Sequence, residues 1–111
     1  IFGGEGADSL EGGEGNDTYV VSQGNDTIVL TRGFGNDVAI GFDANKRGGQ
    51  DLIDIRDFGI TKSNFAHAVE IKDLGTDTLV TIKGADGGTL LLKGVDGVGP
   101  NVITIEDFLL S

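Results

Sequence analysis

Aspartate recurs at the sixth position of a glycine-rich nine-residue pattern near the start of the chain. Two consecutive copies, Gly3–Glu11 and Gly12–Val20, read Gly-Gly-x-Gly-x-Asp-x-apolar-x. Weaker copies follow at Val21–Val29 and Arg32–Ile40, and the first of these lacks the opening glycine pair. Carboxylate and carbonyl oxygens are the ligands that calcium prefers in proteins. The pattern therefore predicts a cation site built from aspartate side chains and loop carbonyls.

The secondary structure around each aspartate follows from the same nine residues. The glycine-rich part disfavours helix and strand, so it predicts a tight loop with positive φ angles. The next three residues predict a short strand whose middle side chain, Leu10 or Tyr19, points inward. Because each loop reverses the chain, alternate strands are expected to stack in parallel in two sheets, with two repeats in each coil.

This stacking brings carboxylates of alternate repeats together. The spacing predicts Asp8 beside Asp26 on one edge and Asp17 beside Asp37 on the other, about 4.8 Å apart, which is the strand spacing. Two carboxylates at this distance repel by roughly 3 kcal/mol at an effective dielectric of about 20. We expect a calcium ion between neighbouring loops to be what allows them to coexist. The alternative, a flexible linker, does not explain two contiguous copies of the pattern.

The charge of the chain limits its partners. The 111 residues contain 18 acidic and 8 basic side chains, which gives a net charge of −10. We therefore expect no nucleic-acid partner and no membrane insertion. No cysteine is present, so neither disulfides nor thiolate chemistry can contribute. The 20 glycines and the Thr, Val, Ile and Leu runs favour strands over long helices.

The C-terminal part of the chain predicts a different arrangement. Residues 1–43 are expected to form the roll, and residues 44–111 a cap packed on it within one continuous domain. A helical turn capped by Thr61 is expected to precede the cap strands. These strands are predicted at Ala68–Lys72, Thr78–Lys83 and Thr89–Lys93, with a hairpin turn at 86–88. The predicted fold class is all-β, a parallel β-roll capped by antiparallel β-strands.

The segment that joins the two parts carries a second acidic pattern. Residues 43–54 match a twelve-residue EF-hand loop at several positions, but Arg47 stands at position five and Asp54 replaces the final glutamate. We therefore reject an EF-hand. A calcium site that uses Asp43 and Asp51 remains open, and the alternative is a solvated acidic loop.

The repeats and the residues after them resemble the C-terminal calcium-binding region of RTX (repeats-in-toxin) proteins, including serralysin-type proteases, which Gram-negative bacteria export by type I secretion. Residues 49–55 and the ending at 103–110 extend the resemblance over nearly the whole chain. It implies a secreted, extracellular module that folds on binding several calcium ions. The implied partners are the type I secretion apparatus and upstream domains of a longer exoprotein, which the module would help to fold.

The resemblance also implies the calcium ligands. In that family the loop aspartates and the loop carbonyls bind the ions. Transferred to this sequence, the side-chain ligands are Asp8, Asp17, Asp26 and Asp37. The backbone ligands are Gly4, Gly6, Gly13, Gly15, Gly24, Gly33 and Gly35.

Two other functions have less support. For catalysis, His67 is the only histidine and is expected to be a partly buried structural residue. No nucleophile elbow or phosphate-binding loop is present, so we expect no enzyme activity. The alternative is a calcium-stabilised carbohydrate- or receptor-binding module of an epimerase, lyase or adhesin. Lys72, Lys83 and Lys93 would then meet an anionic polysaccharide, and otherwise they are solvated strand ends.

Overall fold

The computed structural model describes residues 6, 8–21, 25–42, 51–84, 87–95 and 103–110. Its strands are β1 (Ser9–Glu11), β2 (Thr18–Val20), β3 (Thr27–Val29), β4 (Asn36–Ile40), β5 (Leu52–Asp54), β6 (Val69–Asp73), β7 (Thr78–Ile82), β8 (Thr89–Lys93) and β9 (Phe108–Leu109). The helical elements described are α1 (Phe65–Ala68) and the 3₁₀ turns Arg56–Phe58 and Ile105–Asp107. The predicted all-β class is confirmed. In this part of the chain, the helices are too short and too polar to cross a membrane.

The first strands alternate between two sheets. One sheet has the order β1-β3-β5-β9 and the other β2-β4-β8-β7-β6. β1 pairs in parallel with β3, and β2 with β4, so that Ser9 lies opposite Thr27 and Thr18 opposite Val38. Because each loop reverses the chain, every second strand runs in the same direction, and such strands pair in parallel. This is the arrangement of a β-roll, as predicted.

The parallel pairing continues beyond the repeats. β5 pairs in parallel with β3, β9 with β5, and β8 with β4. Among the described strands, only the pairs β6–β7 and β7–β8 are antiparallel. The expectation of an antiparallel C-terminal part is therefore wrong for β5 and β9, and β8 is antiparallel to β7 but parallel to β4. For β5 the physical reason is that Gly49, Asp51 and Ile53 keep the fourth-position glycine, the aspartate and the inward apolar positions of the repeat, although its opening glycine pair is absent. The predicted boundary at residue 43 lies outside the described residues.

The core lies between the two sheets. Leu10, Ile28, Ile53 and Phe108 occupy equivalent positions on successive strands of the first sheet, and all are buried. In the second sheet the equivalent positions are those of Tyr19, Ala39 and Leu92, and none of these side chains is exposed. The predicted inward orientation of Leu10 and Tyr19 is thus confirmed. Because these inward positions are in register, the loops that precede the strands are aligned with one another from coil to coil.

The cap differs locally from the prediction. The residue before α1 is Asn64, whose Oδ1 accepts the backbone N–H of Thr61 at 2.7 Å, so Thr61 does not cap the helix. His67 is exposed rather than partly buried, because the short helix turns Phe65 and not His67 toward the core. Near the end of the chain, Thr104 and Asp107 form a capping box around the second 3₁₀ turn, which shortens the closing strand to β9.

Candidate calcium site

The repeat aspartates form two columns, one at each edge of the roll. We call Asp8, Asp26 and Asp51 the Asp8 ladder, and Asp17 and Asp37 the Asp17 ladder. The backbone nitrogen of Asp8 donates to Oδ1 of Asp26 at 3.0 Å, and that of Asp26 to Oδ1 of Asp51 at 2.8 Å. The backbone nitrogen of Asp17 donates to Oδ1 of Asp37 at 2.8 Å. The predicted vertical pairing of these aspartates is present, and Asp51 extends it by one coil.

These hydrogen bonds correct one electrostatic expectation. The sequence predicted that neighbouring carboxylates face only one another and that calcium alone offsets their repulsion. In the structure, each ladder step also places a backbone N–H donor against one carboxylate oxygen. Such bonds favour the ionised carboxylate and offset part of the repulsion. The nine-residue pattern indicates which residues stack, but it carries no signal for the direction of each carboxylate.

The second carboxylate oxygens remain available to a cation. Within the described residues, Oδ2 of Asp8, Asp17 and Asp26 is buried and has no hydrogen-bond partner. The side chain of Asp26 is only 1% exposed, so water cannot easily solvate its charge. Buried polar atoms without a partner are rare and costly in folded proteins. A hard cation that accepts oxygen ligands fits these three atoms.

The glycines predicted as ligands give the loops their shape. The φ angle is positive at Gly6, Gly13, Gly15, Gly33 and Gly35, as expected for tight loops. At Gly35 a Cβ atom would lie 2.6 Å from the carbonyl oxygen of Gly15, so the two loops approach too closely for a side chain. One predicted ligand, the carbonyl oxygen of Gly35, accepts the backbone N–H of Thr89 at 3.0 Å. Three predicted ligands lie outside the described residues: Gly4, Gly24 and Asp43.

The donor set limits which metal the ladders could hold. No group of three or more His, Cys, Asp or Glu side chains converges in the part of the chain that the structure describes. Each ladder step therefore offers carboxylate oxygens from neighbouring coils, and the remaining ligands would have to be loop carbonyls or water. Oxygen ligands without nitrogen or sulfur suit calcium rather than zinc. The residues present thus fit calcium.

One tyrosine interrupts the Asp17 ladder. The hydroxyl of Tyr19 donates to Oδ2 of Asp37 at 3.2 Å and accepts the backbone N–H of Gly12 at 3.0 Å. Burial, and then the Asp37 carboxylate, raise the pKa of Tyr19 to about 12. Burial is also the main reason that the pKa of Asp37 is raised. The nine-residue pattern predicted only an apolar core role for Tyr19, although its phenol is a hydrogen-bond donor within the site.

A row of polar residues accompanies the Asp17 ladder on its exposed side. The side-chain oxygen of Asn16 accepts the backbone N–H of Asn36 at 2.9 Å, and that of Asn36 accepts the hydroxyl of Thr89 at 2.9 Å. This row connects the loops of three successive strands, β2, β4 and β8. The sequence offered one signal for it, since asparagine precedes the aspartate in three of the four repeats.

Aspartate loops that stack at the ends of parallel-paired strands fit a calcium-binding repeat. The family model described as the RTX calcium-binding nonapeptide repeat (4 copies) matches residues 1–28. The first 28 residues therefore consist of RTX calcium-binding repeats, and they include Asp8, Asp17 and Asp26. No curated protein matches the chain.

Proposed function

We propose that this calcium-binding module folds when it binds calcium outside the cell, and thereby supports type I secretion and the folding of a larger exoprotein. The observation that supports this proposal is the set of three buried, unpartnered Oδ2 atoms on Asp8, Asp17 and Asp26. We propose no catalytic role for the module. Its stacked carboxylates act as calcium ligands instead.

The energetic argument depends on the calcium concentration. A ligand that binds only the folded chain stabilises it by RT ln(1+[Ca²⁺]/Kd). With an extracellular-type Kd of about 10⁻⁴ M and calcium at about 1 mM, each site adds roughly 1.4 kcal/mol. Three sites would add about 4 kcal/mol, which is a large part of the stability of a small domain. At about micromolar calcium this contribution nearly disappears.

The difference in calcium concentration between the inside and the outside of the cell would suit export of this module. Without calcium, the unpartnered carboxylate oxygens and the ordering of the glycine-rich loops both oppose folding. A chain that stays loosely folded inside the cell is suited to export through a channel. Calcium outside the cell then binds these oxygens and drives folding. Secretion is typical of proteins that carry RTX repeats, which agrees with the match over residues 1–28.

The alternative binding function gains no support from its lysines. Lys72, Lys83 and Lys93 are all exposed, but they do not lie in one row. Lys93 pairs with Ile40 at one end of the five-stranded sheet. The backbone nitrogen of Lys83 bonds to the carbonyl of Ala68 at the opposite end of β7. We therefore do not adopt binding of an anionic polysaccharide as the function.

The first prediction concerns calcium removal. Circular dichroism and thermal melting are measured in EGTA and then in about 1 mM calcium. On calcium addition we expect the strand signal and a cooperative melting transition to appear. If the EGTA-treated chain already melts cooperatively, its melting temperature should rise by at least about 10 °C, because three sites contribute about 4 kcal/mol. An EGTA-treated chain with the same spectrum and the same melting temperature would contradict the proposal.

A matched pair of variants assigns this effect to the ladder. Asp26→Asn keeps the shape of the side chain but removes the charge of a buried carboxylate with an unpartnered oxygen. It is expected to raise the calcium concentration needed for folding by about tenfold or more. Asp73→Asn is the control, since Asp73 is exposed and its carboxylate also accepts one backbone N–H, from Gly75 at 2.9 Å. Equal effects of both variants would remove the ladder from the explanation.

A further inference from the structure

The two ladders do not offer calcium the same oxygens. On the Asp8 ladder, Oδ2 of both Asp8 and Asp26 is buried and unpartnered within the described residues. On the Asp17 ladder only Oδ2 of Asp17 is in this state, because the hydroxyl of Tyr19 donates to Oδ2 of Asp37. Oδ1 of Asp37 already accepts the backbone N–H of Asp17. Both oxygens of Asp37 therefore have a hydrogen-bond donor from the protein itself.

The hydroxyl is held in place from two sides. It accepts the backbone N–H of Gly12 while it donates to Asp37, so it connects loops that lie one coil apart. A Cβ atom on Gly12 would come within 2.6 Å of this hydroxyl and 2.5 Å of Oδ2 of Asp17. The glycine thus leaves the space that the phenol and the carboxylate fill. Tyr19 is the only tyrosine in the chain, so no other loop can have a phenol at this position.

We propose that Tyr19 sets the calcium affinity of the Asp17 ladder, because its hydroxyl competes with calcium for Oδ2 of Asp37. At the step between Asp8 and Asp26, no described group donates to Oδ2 of either residue, so this step fills first. The inference rests on the proposed calcium-binding function and deepens it. The phenol stabilises the second ladder when calcium is scarce, and it lowers the calcium affinity there by the value of its hydrogen bond.

The central test removes one oxygen atom. Tyr19→Phe keeps the buried ring but deletes the competing donor. A hydrogen bond to a charged group has a net value that corresponds to about tenfold or more in an equilibrium constant. Isothermal titration with calcium chloride should therefore show that the weakest sites of the wild-type chain bind about tenfold tighter in the variant, while the tightest sites are unchanged.

A second buried hydroxyl provides the control. Thr78 is 2% exposed, and its Oγ1 donates to the carbonyl oxygen of Val95 at 2.7 Å, away from both ladders. Thr78→Val should leave every calcium affinity unchanged and lower the melting temperature at saturating calcium. Tyr19→Phe should leave the melting temperature at saturating calcium close to the wild-type value, since the ion has already displaced the hydroxyl there.

A reciprocal variant keeps the test valid if Tyr19→Phe folds poorly. Leu10 occupies on β1 the position that Tyr19 occupies on β2, with Asp26 on the next coil. Leu10→Tyr should weaken the tightest calcium sites relative to Leu10→Phe, because the two differ only by the hydroxyl.

The possible results separate the two proposals. If the wild-type chain binds no calcium in the titration, the proposed function and this inference both fail. If it binds calcium but Tyr19→Phe leaves the weak affinity unchanged and destabilises the calcium-loaded chain as Thr78→Val does, only the role of Tyr19 is overturned. An equal affinity of Leu10→Tyr and Leu10→Phe would overturn it as well.

Discussion

The ladder aspartate Asp26 uses its two carboxylate oxygens differently. In Asp26, Oδ1 accepts the N–H of Asp8, while Oδ2 is buried without a partner within the described residues. The sequence predicted which aspartates stack, because the nine-residue period determines the strand register. It did not predict the amide donors, since side-chain direction depends on the three-dimensional loop. At this scale the pattern identifies the residues, and the structure assigns a role to each oxygen.

Asp54 shows a different use of a buried carboxylate. It is 7% exposed, and its oxygens accept the backbone N–H of Arg56 at 3.0 Å, Nε at 3.0 Å and Nη2 at 2.7 Å. The hydrogen bonds from the Arg56 side chain are the main reason that the pKa of Asp54 is lowered. These contacts turn the chain from β5 into the first 3₁₀ turn. In the sequence, Asp54 stood out only as a departure from the EF-hand pattern, so this role was not predicted.

The pH dependence of stability should reveal this contact. Because the folded-state pKa lies below the unfolded value of about 3.9, Asp54 stabilises the fold above that pH and loses this contribution as the pH falls through the lower pKa. At neutral pH and saturating calcium, Asp54→Asn should lower the melting temperature by about 5 °C. The deficit should shrink below pH of about 4. A deficit that is constant with pH, or one equalled by the exposed control Asp73→Asn, would contradict this assignment.

At the scale of the elements, loop contact determines how closely the coils stack. The loop at Gly35 lies directly against the carbonyl of Gly15, and the loop at Gly88 lies against the carbonyl of Gly35. Strands β2, β4 and β8 therefore share both backbone pairing and loop contact. The sequence predicted the first two of these loops from their glycines. It predicted the third as a hairpin turn but not its contact with the loop at Gly35, because this turn lacks the repeat pattern, although Gly88 supplies the same close approach.

Two glycine substitutions separate crowding from backbone strain. Gly35 (φ 84°) and Gly75 (φ 97°) both have positive φ angles, but only at Gly35 would a Cβ meet another loop. Gly75→Ala should cost about 1 kcal/mol from the φ angle alone. Gly35→Ala should cost about 3 kcal/mol or more, because the stacked loops must also separate. Urea unfolding at saturating calcium gives both values, and equal costs would show that the coils are not in close contact there.

At the scale of the whole molecule, both sheets receive strands from both halves of the sequence. β5 and β9 extend the first sheet, and β8 connects the antiparallel strands to the second. The sequence predicted the two parts but not their shared sheets. Local patterns of a few residues indicate where strands occur. The partner of β9 is decided by packing between residues far apart in the chain, such as Ile53 and Phe108, which no local pattern encodes.

The β9 end of the first sheet should contribute stability that does not depend on calcium. Phe108 on β9 is 6% exposed and packs edge-on against Phe65 of α1, with ring centroids 4.9 Å apart. No ladder aspartate takes part in this contact. Phe108→Ala should therefore cost about 3–5 kcal/mol at every calcium concentration, and Phe108→Leu a smaller amount.

The calcium dependence of unfolding distinguishes this contribution from that of the ladders. Urea unfolding at several calcium concentrations gives stability as a function of log[Ca²⁺], whose slope reports the number of ions bound on folding. The Phe108 variants should lower the whole line and leave its slope unchanged, whereas Asp26→Asn should reduce the slope over the calcium range that saturates the wild-type site. Leu74→Ala, at a side chain that is 47% exposed, should shift neither. A lower slope in Phe108→Leu would contradict this independence. It would mean that the packing of Phe108 and the binding of calcium at the ladders are coupled.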